Sequence, residues 1–214
     1  MIKTIYADPP WNMQGGTRTH KEEGYSGIKG VQDVYPLMKT EEIKTIYADC
    51  PWALGGGTKH GWSKKRPEAK YSVMPLDDIK SLKFDYPIAE QAHLWLWVTN
   101  GFIPQGLEVM EAWGFKYITS VVWVKNRIGL GQYIRTKHET LLFGRKGKPL
   151  PYKKIDGKRV TVPSAFEAPL TKHSKKPLEV YQMIEKVSYP PYLELFARNI
   201  EVERPDWSYW GNEA

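Results

Sequence analysis

The chain has 214 residues with 31 lysines and arginines against 24 aspartates and glutamates, a formal charge of +7, and 41% apolar and 26% charged residues. That balance excludes an intrinsically disordered chain, and no apolar run approaches the ~20 residues of a membrane span. The length suits one α/β domain with a buried core. A lone cysteine, Cys50, rules out an internal disulfide, so a reducing cytoplasm is the expected setting, and the opening residues lack the sections of a secretory signal. The positive excess favours an anionic partner.

In chain order, the first feature is a partial repeat: TIYADPPW, Thr4 to Trp11, returns as TIYADCPW, Thr45 to Trp52. Each copy is followed by a glycine-containing loop and then by a similar segment, YPLMKTEEIK ending at Lys44 and YSVMPLDDIK ending at Lys80. Each therefore reads as strand, loop and short helix. The expected organisation is a partial duplicate of the motif segment over 1–44, packed on or forming part of the sheet, and a catalytic domain over 45–214. Beyond Lys80, apolar runs predict strands at His93 to Thr99, Tyr117 to Val124, Glu139 to Gly144 and Tyr192 to Ala197. Between them, Pro104 to Trp113 and Pro177 to Val187 carry helical spacing with proline at the start, as crossover helices should. Lys125 to Lys137 and Gly147 to Lys172 are rich in Gly, Pro and basic residues and read as surface loops. The pattern predicts an α/β fold of the Rossmann-like type, mostly parallel, with helices on both faces.

The sharpest chemistry lies in Asp-Pro-Pro-Trp directly after an apolar strand. An exocyclic amino group of a nucleobase is a weak nucleophile because its lone pair is delocalised into the ring. A carboxylate and a backbone carbonyl that each accept one amino hydrogen favour the pyramidal nitrogen of the transition state, which is differential stabilisation. Proline stiffens the turn, and the following aromatic ring can stack on an extruded base, worth ~1–3 kcal/mol. The bland reading is a strand-ending turn with a core Trp.

The ordered set of motifs decides between them. YSVMPLDDIKSL, LWLWVTN, GLEVMEAWGFKY, WVKNRIGLGQYIRTKHETLLFGRKGKP, HSKKPLEVYQMIEKV, YLELFARN and WSYWGNE, spread over Thr45 to Glu213, resemble the adenine 6-amino methyltransferases of the MT-A70 family. That family's catalytic motif is D-P-P-W and its methyl donor is S-adenosylmethionine. The resemblance implies methyl transfer to adenine in DNA, with RNA as an alternative polymer and a catalytically silent nucleic-acid-binding subunit as the rival class. It leaves open a homodimer. Spacing favours the second copy, Asp49, Cys50, Pro51 and Trp52, as the catalytic one; composition favours the first, Asp8, Pro9, Pro10 and Trp11, which follows the motif in full. Cys50 still offers a backbone carbonyl in place of the first proline. For the donor the resemblance points to Lys176 for the methionine carboxylate, Arg198 and Asn199 for the ribose, Asn212 and Glu213 for the ribose or adenine, and Glu194 for the ribose hydroxyls. Nucleic-acid contacts are expected from Lys59, Lys64, Lys65 and Arg66 in a glycine-containing loop, and from Lys125, Arg127, Arg135 and Lys137 in a second basic loop. The five histidines are scattered with no zinc-ligand spacing, so no metal is expected.

Overall fold

A computed structural model describes residues 41–52, 73–83, 86–129, 133–171, 175–197 and 204–211. Strand β1 (Ile43–Ala48), helix α1 (Leu76–Lys80), β2 (Ile88–Val98), α2 (Ile103–Ala112), β3 (Lys116–Lys125) and β4 (His138–Lys146) come first. A small hairpin, β5 (Lys154–Ile155) and β6 (Lys158–Arg159), then precedes β7 (Ala165–Ala168), α3 (Glu179–Val187), β8 (Tyr192–Leu195) and β9 (Trp207–Trp210). Seven strands form one sheet in the order β7-β3-β4-β2-β1-β8-β9. Six share one direction, and β4 alone runs against its neighbours β2 and β3. The mixed α/β architecture expected from the sequence is thus present.

The two faces of the sheet follow from alternation along each strand. On one face Ile46, Ala48, Leu94, Leu96, Val98 and Leu193 pack with Ile79 of α1 and Val109 and Met110 of α2. On the other, Tyr47, Trp95, Trp97 and Tyr192 pack with Val180, Met183 and Ile184 of α3. Strands covered on both sides read as continuous apolar runs, which is why β1 and β2 were legible. Helix α2 lies tight against its sheet: a Cβ at Gly106 would meet Val98 Cγ1 at 2.5 Å and Leu142 Cδ1 at 2.9 Å. Only a residue without a side chain allows that approach. Large indoles in the second layer satisfy their polar edge internally, Trp97 Nε1 donating to Tyr47 Oη at 2.8 Å and Trp123 Nε1 to Ala168 O at 2.9 Å.

The sheet departs from expectation at three places. The segment from Gly147 to Lys172, read as a surface loop, contains the β5–β6 hairpin and β7, which extends the sheet beside β3. Strand β9 also lacked a strand signal. Both β7 and β9 are four-residue edge strands, too short for a periodic pattern to stand out. The strand at Glu139 to Gly144 is antiparallel, because it returns directly from β3 through the loop that Lys125 N closes by donating to Lys137 O at 2.8 Å. A hairpin return reverses direction; only a crossover keeps it.

Candidate active site

The second copy of the repeated motif forms β1, an interior strand of the sheet, and the turn at its carboxyl end. Strand β1 pairs with β2 on one side and β8 on the other, so the chain emerging at Asp49 enters the crevice where open α/β sheets bind ligands. There Trp52 N donates to Cys50 O at 2.9 Å, a three-residue turn centred on Pro51, and Met74 N donates to Pro51 O at 2.8 Å. A carbonyl carries two lone pairs, so Cys50 O keeps one acceptor site. The Cys50 side chain is buried in the first layer, and burial followed by the Asp49 charge raises its thiol well above the usual range. It is an inert core thiol. Trp52 stacks on Phe102 with ring centroids 5.7 Å apart and donates Nε1 to Trp97 O at 3.2 Å.

Beside Asp49 lies a chain of alternating charges. Lys176 Nζ donates to Asp49 Oδ2 at 2.8 Å and lies 3.3 Å from Glu139 Oε2; Glu139 Oε1 in turn accepts from Lys125 Nζ. Burial alone would pull the Lys176 ammonium down, but Asp49 and Glu139 outweigh it and hold the ammonium above its ordinary value. For Glu139 burial pushes up, and Lys176 and Lys125 together keep the carboxyl below the usual range. Lys176 also sits 5.4 Å from the Trp97 ring centroid. An ammonium has three donors, and among the described residues two of them have partners, Asp49 and Glu139. Among the described residues, Asp49 Oδ1 has no hydrogen-bond partner.

At the end of β8 a second polar group is enclosed. Glu194 shares the second face with Tyr47 and Tyr209, its register partners, and accepts from Tyr181 Oη at 2.8 Å. Burial raises its carboxyl to about 8, with the Tyr181 hydrogen bond and Arg204 opposing and Asp49 reinforcing. It therefore keeps its proton to a higher pH than an ordinary carboxyl does. The backbone beyond it turns sharply: Phe196 takes φ 62°, and Ala197 N donates to Trp210 O at 2.9 Å.

The structure thus places Asp49, Cys50, Trp52 and Lys176 in one constellation, with Glu194 on the neighbouring strand. Lys125 was expected among the loop lysines facing nucleic acid; it ends β3, pairs with Glu139 and lies 4.8 Å from the Trp123 ring centroid. Arg127, Arg135 and Lys137 are exposed in the β3–β4 connection, Arg135 Nε donating to Gly129 O at 3.0 Å. Since β3 and β1 share a direction, this loop rises at the same end of the sheet as Asp49. Asp8, Pro9, Pro10, Trp11, Lys59, Lys64, Lys65, Arg66, Arg198, Asn199, Asn212 and Glu213 lie outside the described residues. Sequence reasoning missed Glu139, Trp97, Phe102 and Tyr181. Of these only Glu139 left a signal, a carboxylate opening an otherwise apolar strand.

A family model described as MT-A70 matches residues 43–213. Type II methyltransferase M.MunI of Mycoplasma sp. is 29% identical over 215 residues, covering 99% of this chain and 77% of its own. The N(6)-adenosine-methyltransferase MT-A70-like protein of Arabidopsis thaliana is 30% identical over 155 residues, 68% of this chain and 22% of its own. The human N(6)-adenosine-methyltransferase catalytic subunit METTL3 is likewise 30% identical over 155 residues, 68% of this chain and 26% of its own. The chain therefore spans about a quarter of the length of these adenosine methyltransferases.

Proposed function

The chain belongs to the MT-A70 family, and from that membership and the geometry at Asp49 we propose that it transfers a methyl group from S-adenosylmethionine to the 6-amino group of adenine in DNA. The observation that carries the proposal is the pair of acceptors, Asp49 Oδ1 and the remaining lone pair of Cys50 O, at the carboxyl end of β1 beside the Trp52 ring. Adenine comes from the names of the adenosine methyltransferase relatives. DNA is preferred over RNA because the relative matched along most of both chains is a type II methyltransferase.

The donor set suits S-adenosylmethionine. Among the described residues Lys176 keeps one N–H without a partner, which would meet the methionine carboxylate, and Glu194 would offer a buried carboxyl to the ribose hydroxyls. Arg198, Asn199, Asn212 and Glu213 complete the set we assign to the donor, with 1–44 the partial duplicate and 45–214 the catalytic domain. When bound, the donor supplies a methyl group already activated on a sulfonium. The protein then has three tasks. Asp49 and Cys50 O accept the two amino hydrogens and so localise the nitrogen lone pair; Trp52, backed by Phe102, stacks on the base; Lys176 holds Asp49 in place. The proton released after transfer passes to water. Basic residues around the crevice, Arg127, Arg135 and Lys137 together with Lys59, Lys64, Lys65 and Arg66, would meet phosphates.

The test is incubation of the purified chain with labelled donor and duplex DNA, single-stranded DNA or RNA, followed by digestion to nucleosides. Labelled N6-methyladenine from DNA is the expected product; product from RNA alone would move the substrate to the other polymer. Asp49→Ala should lower the rate by about 10²–10³-fold, as loss of an oriented transition-state contact does, while the fold persists. Asp8→Ala should leave the rate nearly intact, and the reverse pattern would assign catalysis to the first copy. A protein that neither methylates nor binds donor would be a silent subunit.

A further inference from the structure

We propose that Lys125 is a positioning residue for methyl transfer: by holding Glu139 it keeps Lys176 on Asp49, the carboxylate that receives the substrate amino group. The inference rests on the methyl-transfer reading and goes beyond it, because it takes a lysine that the sequence assigns to phosphate contact and gives it a different task.

Three observations carry it. First, β3 and β4 pair so that Trp123 faces Glu139 and Val124 faces His138, which puts Lys125 and Glu139 together where the hairpin opens toward the site. Second, the Lys125 side chain is only 17% exposed, with its ammonium near the Trp123 ring and bonded to Glu139 Oε1. That is a poor arrangement for reaching a phosphate. Third, Asp49, Lys176, Glu139 and Lys125 alternate in sign and sum to zero, so each ion has its compensation. Buried charges demand this, since an unpaired one is strongly unfavourable.

Removing the outermost cation therefore acts at the inner end. With Lys125 gone, Glu139 has a single cationic partner and competes with Asp49 for it. Lys176 lies 2.8 Å from Asp49 and 3.3 Å from Glu139, so a small displacement reverses which carboxylate holds it more closely. Asp49 would then lose its anchor. Among the described residues, Tyr47 of β1 and the Asp49 carboxylate behind Lys176 also surround Glu139, and neither can supply the positive charge that Lys125 brings.

The experiment compares wild type, Lys125→Met and Lys125→Arg, each with and without Glu139→Gln, in the full chain acting on an adenine-containing duplex. Lys125→Met keeps the aliphatic stem on Trp123 and should lower the single-turnover rate by roughly 10–100-fold, the scale of a small misplacement of a reacting group. Substrate KM and the salt dependence of binding should stay within about twofold, and Lys125→Arg should restore most of the rate. In the Glu139→Gln background the further loss from Lys125→Met should shrink to about twofold or less, because the partner through which it acts is gone. The proposal fails if the rate is unchanged, or if the loss lies in KM, flattens the salt slope and persists with Glu139→Gln, which would make Lys125 a phosphate contact. Should Lys125→Met not fold, Lys125→Gln replaces it. A carboxylate NMR titration of Glu139 in the donor-free protein supplies an arm independent of activity: its midpoint should rise on loss of Lys125, and no movement overturns the coupling. Failure of the methyl-transfer reading would show separately, as wild type making no methylated product on any nucleic acid.

Discussion

The environment of Glu194 changes its acid–base chemistry. Its carboxyl is held at about 8 in the folded protein against 4.5 ordinarily, chiefly by burial. The native state thus keeps a proton that the unfolded chain loses, and the contribution of Glu194 to stability declines as pH rises from about 4.5 to about 8, then levels off. Glu194→Gln removes the titration, so its stability relative to wild type should grow across that window; urea melts of both proteins at pH 5 and pH 8 check this. If the ribose hydroxyls of the donor bond to Glu194 as proposed, they favour the ionised form, and donor binding at neutral pH should release a proton that calorimetry in buffers of different ionisation enthalpy would detect. Cys50 is the opposite case. Its departure from the proline of the motif leaves the backbone acceptor in place, since Pro51 and the bond from Trp52 N already close the turn.

Among the elements, the residues just beyond β8 and just beyond β9 make a close backbone approach near the proposed donor site. A Cβ at Gly211 would lie 2.3 Å from Ala197 O, 2.4 Å from Ala197 N and 2.8 Å from the Phe196 carbonyl carbon, all of them main chain. Main-chain atoms cannot swing aside as a side-chain tip can. Gly211→Ala should therefore cost about 1–3 kcal/mol by overpacking. It should also weaken S-adenosylmethionine binding by more than the stability loss explains, because the displaced segment leads into Asn212 and Glu213. Thermal melts with and without donor separate the two effects. Helix α3 is the element that makes the site possible: it buries Val180, Met183 and Ile184 against the sheet, and Lys176 lies immediately ahead of it, delivered onto Asp49 from 127 positions away.

For the whole molecule, the sheet limits what the repeat can do. Strand β1 already has partners on both sides, so another strand could join only at the outer edges β7 or β9 unless β1 is displaced. This is the packing reason for proposing the second copy as the catalytic one and for expecting Asp8→Ala to be tolerated. Charge acts at the same scale. Arg127 and Arg135 rise at the Asp49 end of the sheet, and replacing both with Ala should reduce the log-log salt slope of duplex binding by up to about 1.8, or 0.9 for each lost phosphate contact. Donor affinity should barely move, and a slope identical to wild type would make both residues ordinary surface.

The strands β1 to β4 and β8, the helices α1 to α3 and the Asp-Cys-Pro-Trp turn were legible in the sequence because each is a local pattern: an apolar run, a helical spacing, a proline at a helix start, an acid at a strand end. Edge strands β7 and β9 were not, since four residues carry too little periodicity and their partners are distant in sequence. The same division runs through the site. Sequence alone presented Asp49, Lys176 and Glu194 as separate candidates and Lys125 as one basic residue among several. Only tertiary structure joined Asp49, Lys176, Glu139 and Lys125 into one neutral chain of charges, because burial forces every ion to find a counter-ion and the sheet, by bringing β1, β3 and β4 together at one end, determines which ones meet.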